Sequence, residues 1–250
     1  PSGTALVDLT LECMSDIPSA SASDVSNILD NCTGNVEVTF IDTNNGGKGC
    51  KGNPYVLTRT YTLTDCAGNT TDLVQTITVE DTTAPTFVEV LPTDVTVECN
   101  AVPTAAVLTA TDNCGTATVA YTEARVDGSC ANNYELFRTW VATDACGLTT
   151  SHTQTITVED TTAPTFVEVL PADVTVECNA VPAAAVLTAT DNCGTATVTY
   201  TETKVDGSCA NNYELVRTWL ATDTCGLTTE HVQTITVEDT TAPTFVEVLP

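Results

Sequence analysis

Two kinds of side chain carry most of the chemistry open to this chain: cysteine thiols and carboxylates. Twelve cysteines lie among 250 residues. Cys99, Cys114, Cys130 and Cys146 recur 79 residues later as Cys178, Cys193, Cys209 and Cys225. Cys13, Cys32, Cys50 and Cys66 precede them in a looser spacing. Four cysteines per step imply two disulfides per module and an oxidising compartment. Zinc is the competing chemistry, but the chain has no CxxC pair and only His152 and His231. The carboxylates recur as well. Glu80 with Asp81, and Glu159 with Asp160, precede a Thr-Thr-Ala-Pro phrase, while Asp112, Asp144, Asp191 and Asp223 sit in turn sequences beside cysteines. Clustered oxygen ligands suit calcium. Aspartate in such turns also bonds its own backbone.

The elements that position these residues repeat too. Residues 82–160 and 161–239 are identical at 69 of 79 positions. The linker DTTAPTFVEVLP starts at Asp81, Asp160 and Asp239. We read a divergent first repeat over 1–81, a second over 82–160, a third over 161–239, and the start of a fourth over 240–250. Such periodicity marks a beaded or stacked array. Modules of this size bury only about 60% of their unfolded surface and need covalent help. Alternation of apolar and polar residues is clear and helical periodicity is absent. Strands are expected over 87–91, 94–98, 107–111, 117–125, 134–143 and 149–159, separated by turns such as DNCG and DACG. The predicted fold is all-β: tandem immunoglobulin-like antiparallel β-sandwiches, disulfide-stapled, in a rod-like array. Pro85, Pro164 and Pro243 restrict the linkers and favour a stiff connection.

Successive strands alternate direction, so cysteines alternate between the two ends of a module. Three pairings per module are open. The layout favours Cys99 with Cys130 and Cys114 with Cys146. The equivalents are Cys13 with Cys50, Cys32 with Cys66, Cys178 with Cys209, and Cys193 with Cys225. The same layout puts Asp112 and Asp144 near the preceding linker. A junction calcium would then use Glu80, Asp81, Asp112 and Asp144, and the next would use Glu159, Asp160, Asp191 and Asp223.

Thirty-three acidic and seven basic residues give a net charge of −26. That balance excludes a nucleic-acid partner, which needs Lys and Arg, and disfavours anionic membranes. No run of apolar residues suits a membrane span. No leader is present, so an export signal is expected outside these residues. Ser/His/Asp phrases, nucleophile elbows and phosphate loops are missing, so no enzyme activity is expected. Arg59, Arg138 and Arg217 share the inward parity of Tyr61, Trp140 and Trp219. They are expected to stack on those rings and pair with a strand carboxylate. His152 reads as a packing residue. Aromatics are 5% of the chain, which weakens the alternative of a carbohydrate-binding array.

TYTLTDCAGNTT at 60–71 resembles the closing motif of the hyalin-repeat (HYR) family of extracellular immunoglobulin-like modules. TVECNAVP, LTATDNCG, YELFRTWVATDACG and TQTITVEDTTAPTF resemble four-cysteine HYR-like repeats in giant surface proteins of Bacteroidetes, including gliding-motility adhesins. The resemblance implies a secreted, cell-surface filament or adhesin stalk. Its partners would be neighbouring repeats, identical chains in a filament, and an unknown surface or glycan target. A multi-chain extracellular fibre stays open beside it. The linker also resembles acidic cadherin-like junctions, which supports calcium. Asp-Thr-Thr resembles the Bacteroidetes O-glycosylation signal, with Thr82, Thr161 and Thr240 as acceptors.

Overall fold

In the computed structural model, residues 1–4, 6–31 and 34–245 are described. The first repeat contributes β1 (Leu9–Leu11), β2 (Glu37–Asn44), β3 (Tyr55–Thr64) and β4 (Thr70–Val79). The second contributes β5 (Thr86–Phe87), β6 (Val95–Glu98), β7 (Ala110–Asp112), β8 (Gly115–Thr116), β9 (Thr118–Asp127), β10 (Tyr134–Thr143) and β11 (Thr149–Glu159). The third contributes β12 (Thr165–Phe166), β13 (Val174–Glu177), β14 (Ala189–Thr190), β15 (Thr197–Cys209), β16 (Asn212–Thr222) and β17 (Thr228–Glu238). Among the described residues the only helices are three short 3-10 turns. None is long and apolar enough to cross a membrane.

Each repeat builds the same four-stranded sheet, with orders β1-β4-β3-β2, β6-β11-β10-β9 and β13-β17-β16-β15. The later repeats add a smaller sheet, β5-β7-β8 and β12-β14. The fold is an immunoglobulin-like sandwich. The first strand of each large sheet runs parallel to the last, pairing Val95 with Ile156 and Val174 with Ile235. The other described ladders, such as β2 with β3 and β15 with β16, are antiparallel. The expected strand over 87–91 shrinks to Thr86–Phe87, because Glu89 turns its carboxylate onto the Thr109 amide and hydroxyl instead of continuing a ladder.

The chain forms two compact units. One holds Pro1–Pro92, Ala106–Thr122 and Thr139–Thr153; the other holds Thr93–Ala105, Glu123–Arg138 and Gln154–Pro250. In the first, β3 points Leu57, Arg59, Tyr61 and Leu63 inward. Tyr61 is fully buried, and its hydroxyl donates to Asp24 at 2.7 Å. Trp140, in the same unit, donates its indole N–H to the Ala106 carbonyl at 3.1 Å. In the second, Trp219 does the same to Ala185 at 3.1 Å. A buried ring whose polar atom finds a partner adds apolar area without a desolvation cost. His152 and His231 pack on the two tryptophans and meet the Pro92 and Pro171 carbonyls.

The inward arginines pair as the parity predicted. Arg59 makes two hydrogen bonds to Asp42, directly opposite on β2, at 2.9 and 3.0 Å. Arg138 reaches Glu123 and Arg217 reaches Glu202, each at 2.7 Å. The cations lying over rings are instead Arg125 on Tyr134 and Lys204 on Tyr213.

Candidate functional site

The cysteines correct the sequence reading. The bonds are Cys13–Cys114 and Cys50–Cys146 in the first unit, and Cys99–Cys193 and Cys130–Cys225 in the second. None is the expected within-repeat pair: Cys13 does not meet Cys50, nor Cys99 Cys130, nor Cys114 Cys146, nor Cys193 Cys225. Each bond joins one repeat to the next, across 94 to 101 residues. The sorting of cysteines to two ends is sound. What it lacks is that Cys114 and Cys146 share a unit with the end of the preceding repeat, where Cys13 and Cys50 lie. A strictly periodic sequence has four cysteines per repeat under either connectivity, so counting them does not separate the two.

Cys66, Cys178 and Cys209 are exposed thiols with no disulfide partner among the described residues, and Cys32 lies outside those residues. Cys178 and Cys209 are the positional equivalents of Cys99 and Cys130.

Beside each pair of cystines lies a group of carboxylates. Asp81 is 3% exposed and Asp160 5%. In the second unit, oxygens of Asp160, Asp191 and Asp223 lie within 4.8 Å of one another. In the first, Asp81 and Asp112 form the matching pair, and Asp144 adds its field to Asp81. The turns explain the placement. One oxygen of Asp223 accepts the backbone N–H groups of Cys225 and Leu227 at 2.8 and 2.9 Å. Asp144 does the same for Cys146 and Leu148. Each turn closes on a glycine, Gly147 or Gly226, at φ of 84° or 88°, where a side chain would be strained. Asp112 and Asp191 accept the N–H of Cys114 and Cys193. In all four aspartates the second oxygen is buried without a hydrogen-bond partner.

The electrostatics follow. Burial pushes the Asp160 carboxyl up from its ordinary value, and Asp191 and Asp223 push it further. Asp81 is raised by burial and then by Asp112, Asp144 and Glu12.

Glu80 and Glu159 do not join these groups. Neighbouring residues at the end of a strand point to opposite sides, so when Asp81 and Asp160 face inward their glutamates turn away. Glu80 accepts the Gly52 N–H at 3.1 Å, and Glu159 is exposed. The sequence reading missed Glu12 and Glu98. Glu12 accepts the backbone N–H and hydroxyl of Thr82 at 2.9 and 2.8 Å, which holds its carboxyl below the usual value. Glu98 accepts from Thr161 in the same way, and Glu177 from Thr240. These are the linker threonines expected as glycan acceptors; all three are exposed. The register of β1 and β6 against the last strand could have found both glutamates, because it sets Glu98 opposite Glu159.

The class defined by this fold and site is an immunoglobulin-like repeat whose neighbours are joined covalently and ringed by carboxylates. A family model described as an HYR-like domain with 4 cysteines matches residues 4–79. No curated protein matches the chain. Among solved structures the chain is similar to a protocadherin gammaB7 EC3-6 cis-dimer, at 13% identity over 96% of this chain and 74% of that one, with a TM-score of 0.38. It is also similar to the protocadherin GammaB4 extracellular domain, at 16% identity over 94% of this chain and 49% of that one, with a TM-score of 0.35. A third is Drosophila N-cadherin EC1-4, at 15% identity over 94% of this chain and 74% of that one, with a TM-score of 0.23.

Proposed function

We propose that this chain is a structural, adhesion-type segment of an extracellular surface protein, in which consecutive sandwiches are locked to one another by disulfides. One observation carries the reading: the four cystines all run from one repeat to the next. A cystine within a module would stabilise that module alone. A cystine between modules withstands separation of neighbours, which a load-carrying stalk requires and an isolated catalytic domain does not. Cystine-rich modules also belong outside the reducing cytosol. By the same rule, Cys178 and Cys209 are the bonding positions for a following module and Cys66 for a preceding one. The role is non-enzymatic, in line with the surface-filament or gliding-adhesin stalk that the sequence resemblance implies.

Peptide mapping under non-reducing conditions tests it. Proteolysis and mass spectrometry should recover peptides linking Cys13 with Cys114 and Cys130 with Cys225. Peptides linking Cys99 with Cys130 or Cys114 with Cys146 would overturn the reading.

Lateral association of identical chains is a second reading, favoured by an exposed valine set repeated at equal positions. Val90 and Val107 are 95% and 86% exposed, and Val169 and Val186 are 94% and 86%. Contiguous exposed apolar surface marks interaction sites. A concentration-dependent rise in sedimentation coefficient, abolished by Val90→Asp with Val169→Asp, would support it. The two Trp residues are used up in the cores at 1% exposure, so they cannot serve as sugar-stacking platforms.

A further inference from the structure

We propose that each junction holds a hard divalent cation, of the calcium class, and that its protein ligands are carboxylate oxygens of three aspartates, the two turn aspartates each offering a partnerless one, with a strand-end glutamate beside them. In the second unit these are Asp160, Asp191, Asp223 and Glu98. In the first they are Asp112 and Asp144, with Glu12 and with Asp81, whose Oδ1 already accepts the Thr83 N–H at 3.2 Å. The inference deepens the stalk reading above and revises the ligand set expected from sequence, replacing Glu80 and Glu159.

Acidic residues near one another are common, and the turns could account for them if they satisfied both oxygens of each carboxylate. A comparison inside the chain shows that they do not. The first repeat contains the same turn, in which Asp65 accepts the N–H groups of Ala67 and Asn69, both at 2.8 Å. There the second oxygen of Asp65 takes the Asn69 side-chain amide at 2.8 Å. At the junctions the asparagine is replaced by Leu148 and Leu227, which donate only their backbone N–H groups. The outer oxygens of Asp144 and Asp223 are thereby left buried with no donor. Asp160 goes further: it is 95% buried by the complement of its 5% exposure, and both of its oxygens lack a partner. Buried charge without a partner is costly, so such groups are paired, protonated or metal-bound.

The donor set fits the class. Cys193 lies within reach of Glu98 and Asp160, but its sulfur is already bonded to Cys99, leaving only oxygen donors. Carboxylate and carbonyl oxygens in a flexible cluster suit calcium better than thiophilic metals. The cleft beside the first junction, about 350 Å³, is lined by Glu12, Asp81 and Asp112 and also by Lys48. Two residues before Cys130, the corresponding position is Gly128. An ammonium offsets part of the charge in the first unit, so the second unit is expected to bind more tightly.

The test is calorimetric titration of calcium chloride into the chelator-treated, disulfide-intact chain, with thermal unfolding in parallel. Two sites should appear, and the transition midpoint should rise with calcium. Asp160→Asn should remove one site. It should also reverse sign between conditions, raising the midpoint in chelator by relieving repulsion and lowering it relative to the native chain in calcium. A merely structural aspartate would lower it in both, and that result, or no heat from the native chain, overturns the proposal. If Asp160→Asn does not fold, Leu227→Asn serves. By giving Asp223 the amide that Asn69 gives Asp65, it should weaken one site by about tenfold; unchanged affinity overturns the proposal. Failure here with cross-repeat cystines mapped would leave the stalk reading intact. Within-repeat cystines would remove that reading instead.

Discussion

The two compact units join very different pairs of repeats. The first unites a divergent repeat with the second, while the second unites two repeats that are nearly copies. Yet both contain two cross-repeat cystines, an inward aspartate from the linker, two turn aspartates with a partnerless oxygen, and a glutamate clasping a linker threonine. The core ring is less constant from repeat to repeat. Tyr61 ties its sheet to a side chain, Asp24, whereas Trp140 and Trp219 tie theirs to a backbone carbonyl. Any large ring with one polar atom fills that slot. Both junctions keep the same kinds of group, and the chemistry proposed above is placed there for that reason.

The equivalence of the two units can be broken experimentally. Removing a cystine has the largest expected effect. Replacing Cys130 and Cys225 with serine opens a loop of 95 residues and should cost about 4–5 kcal/mol in chemical denaturation, by the chain-entropy account. Cys50→Ser with Cys146→Ser should cost a similar amount, and a much smaller loss there would end the equivalence. Next comes the ring. Trp219→Ala should cost about 3–5 kcal/mol as a cavity forms. Tyr61→Phe keeps the ring and removes only the hydroxyl that meets Asp24, so about 1 kcal/mol is expected.

The smallest effect is electrostatic. The Arg217 guanidinium beside Glu202, followed by the Tyr200 hydroxyl, holds that carboxyl below its ordinary 4.5. A depressed folded value means that the pair's contribution is complete above the unfolded value and fades as pH falls through the folded one. Glu202 is 36% exposed, so solvent screening keeps the contribution under about 1 kcal/mol. Glu202→Gln should therefore narrow the stability difference between pH 6 and pH 3 slightly, and NMR titration of Glu202 should find its midpoint below 4.5.

Much of this was legible in the chain. The alternation across 134–143 marks β10 residue for residue, and the inward parity of Arg138 and Trp140 follows from it. Two aspartates of each junction lie in turns and the third in the linker, and that placement is readable from the local sequence. Two things were hidden for physical reasons. Strand parity sends Glu159 away from Asp160, and although the strand is expected to reach Glu159, the sequence does not say which of the two neighbours faces inward. Cystine connectivity was hidden because periodicity makes a bond within a repeat and a bond to the next one equivalent by count. The parallel pairing of β6 with β11 is the link that brings in Glu98, and parallel partners leave no local turn signal to read.

The bonds between repeats also change what a cut does. The rings closed by Cys13–Cys114, Cys50–Cys146, Cys99–Cys193 and Cys130–Cys225 overlap like shingles. Every peptide bond from residue 13 to residue 225 lies inside at least one ring, and every one from 50 to 193 lies inside two. A protease that nicks the linker after Asp81 or the one after Asp160 therefore releases nothing, because the strand stays spliced through its sulfurs. A surface protein exposed to hydrolytic neighbours would keep its length after single hits, and would part only after reduction or several cuts.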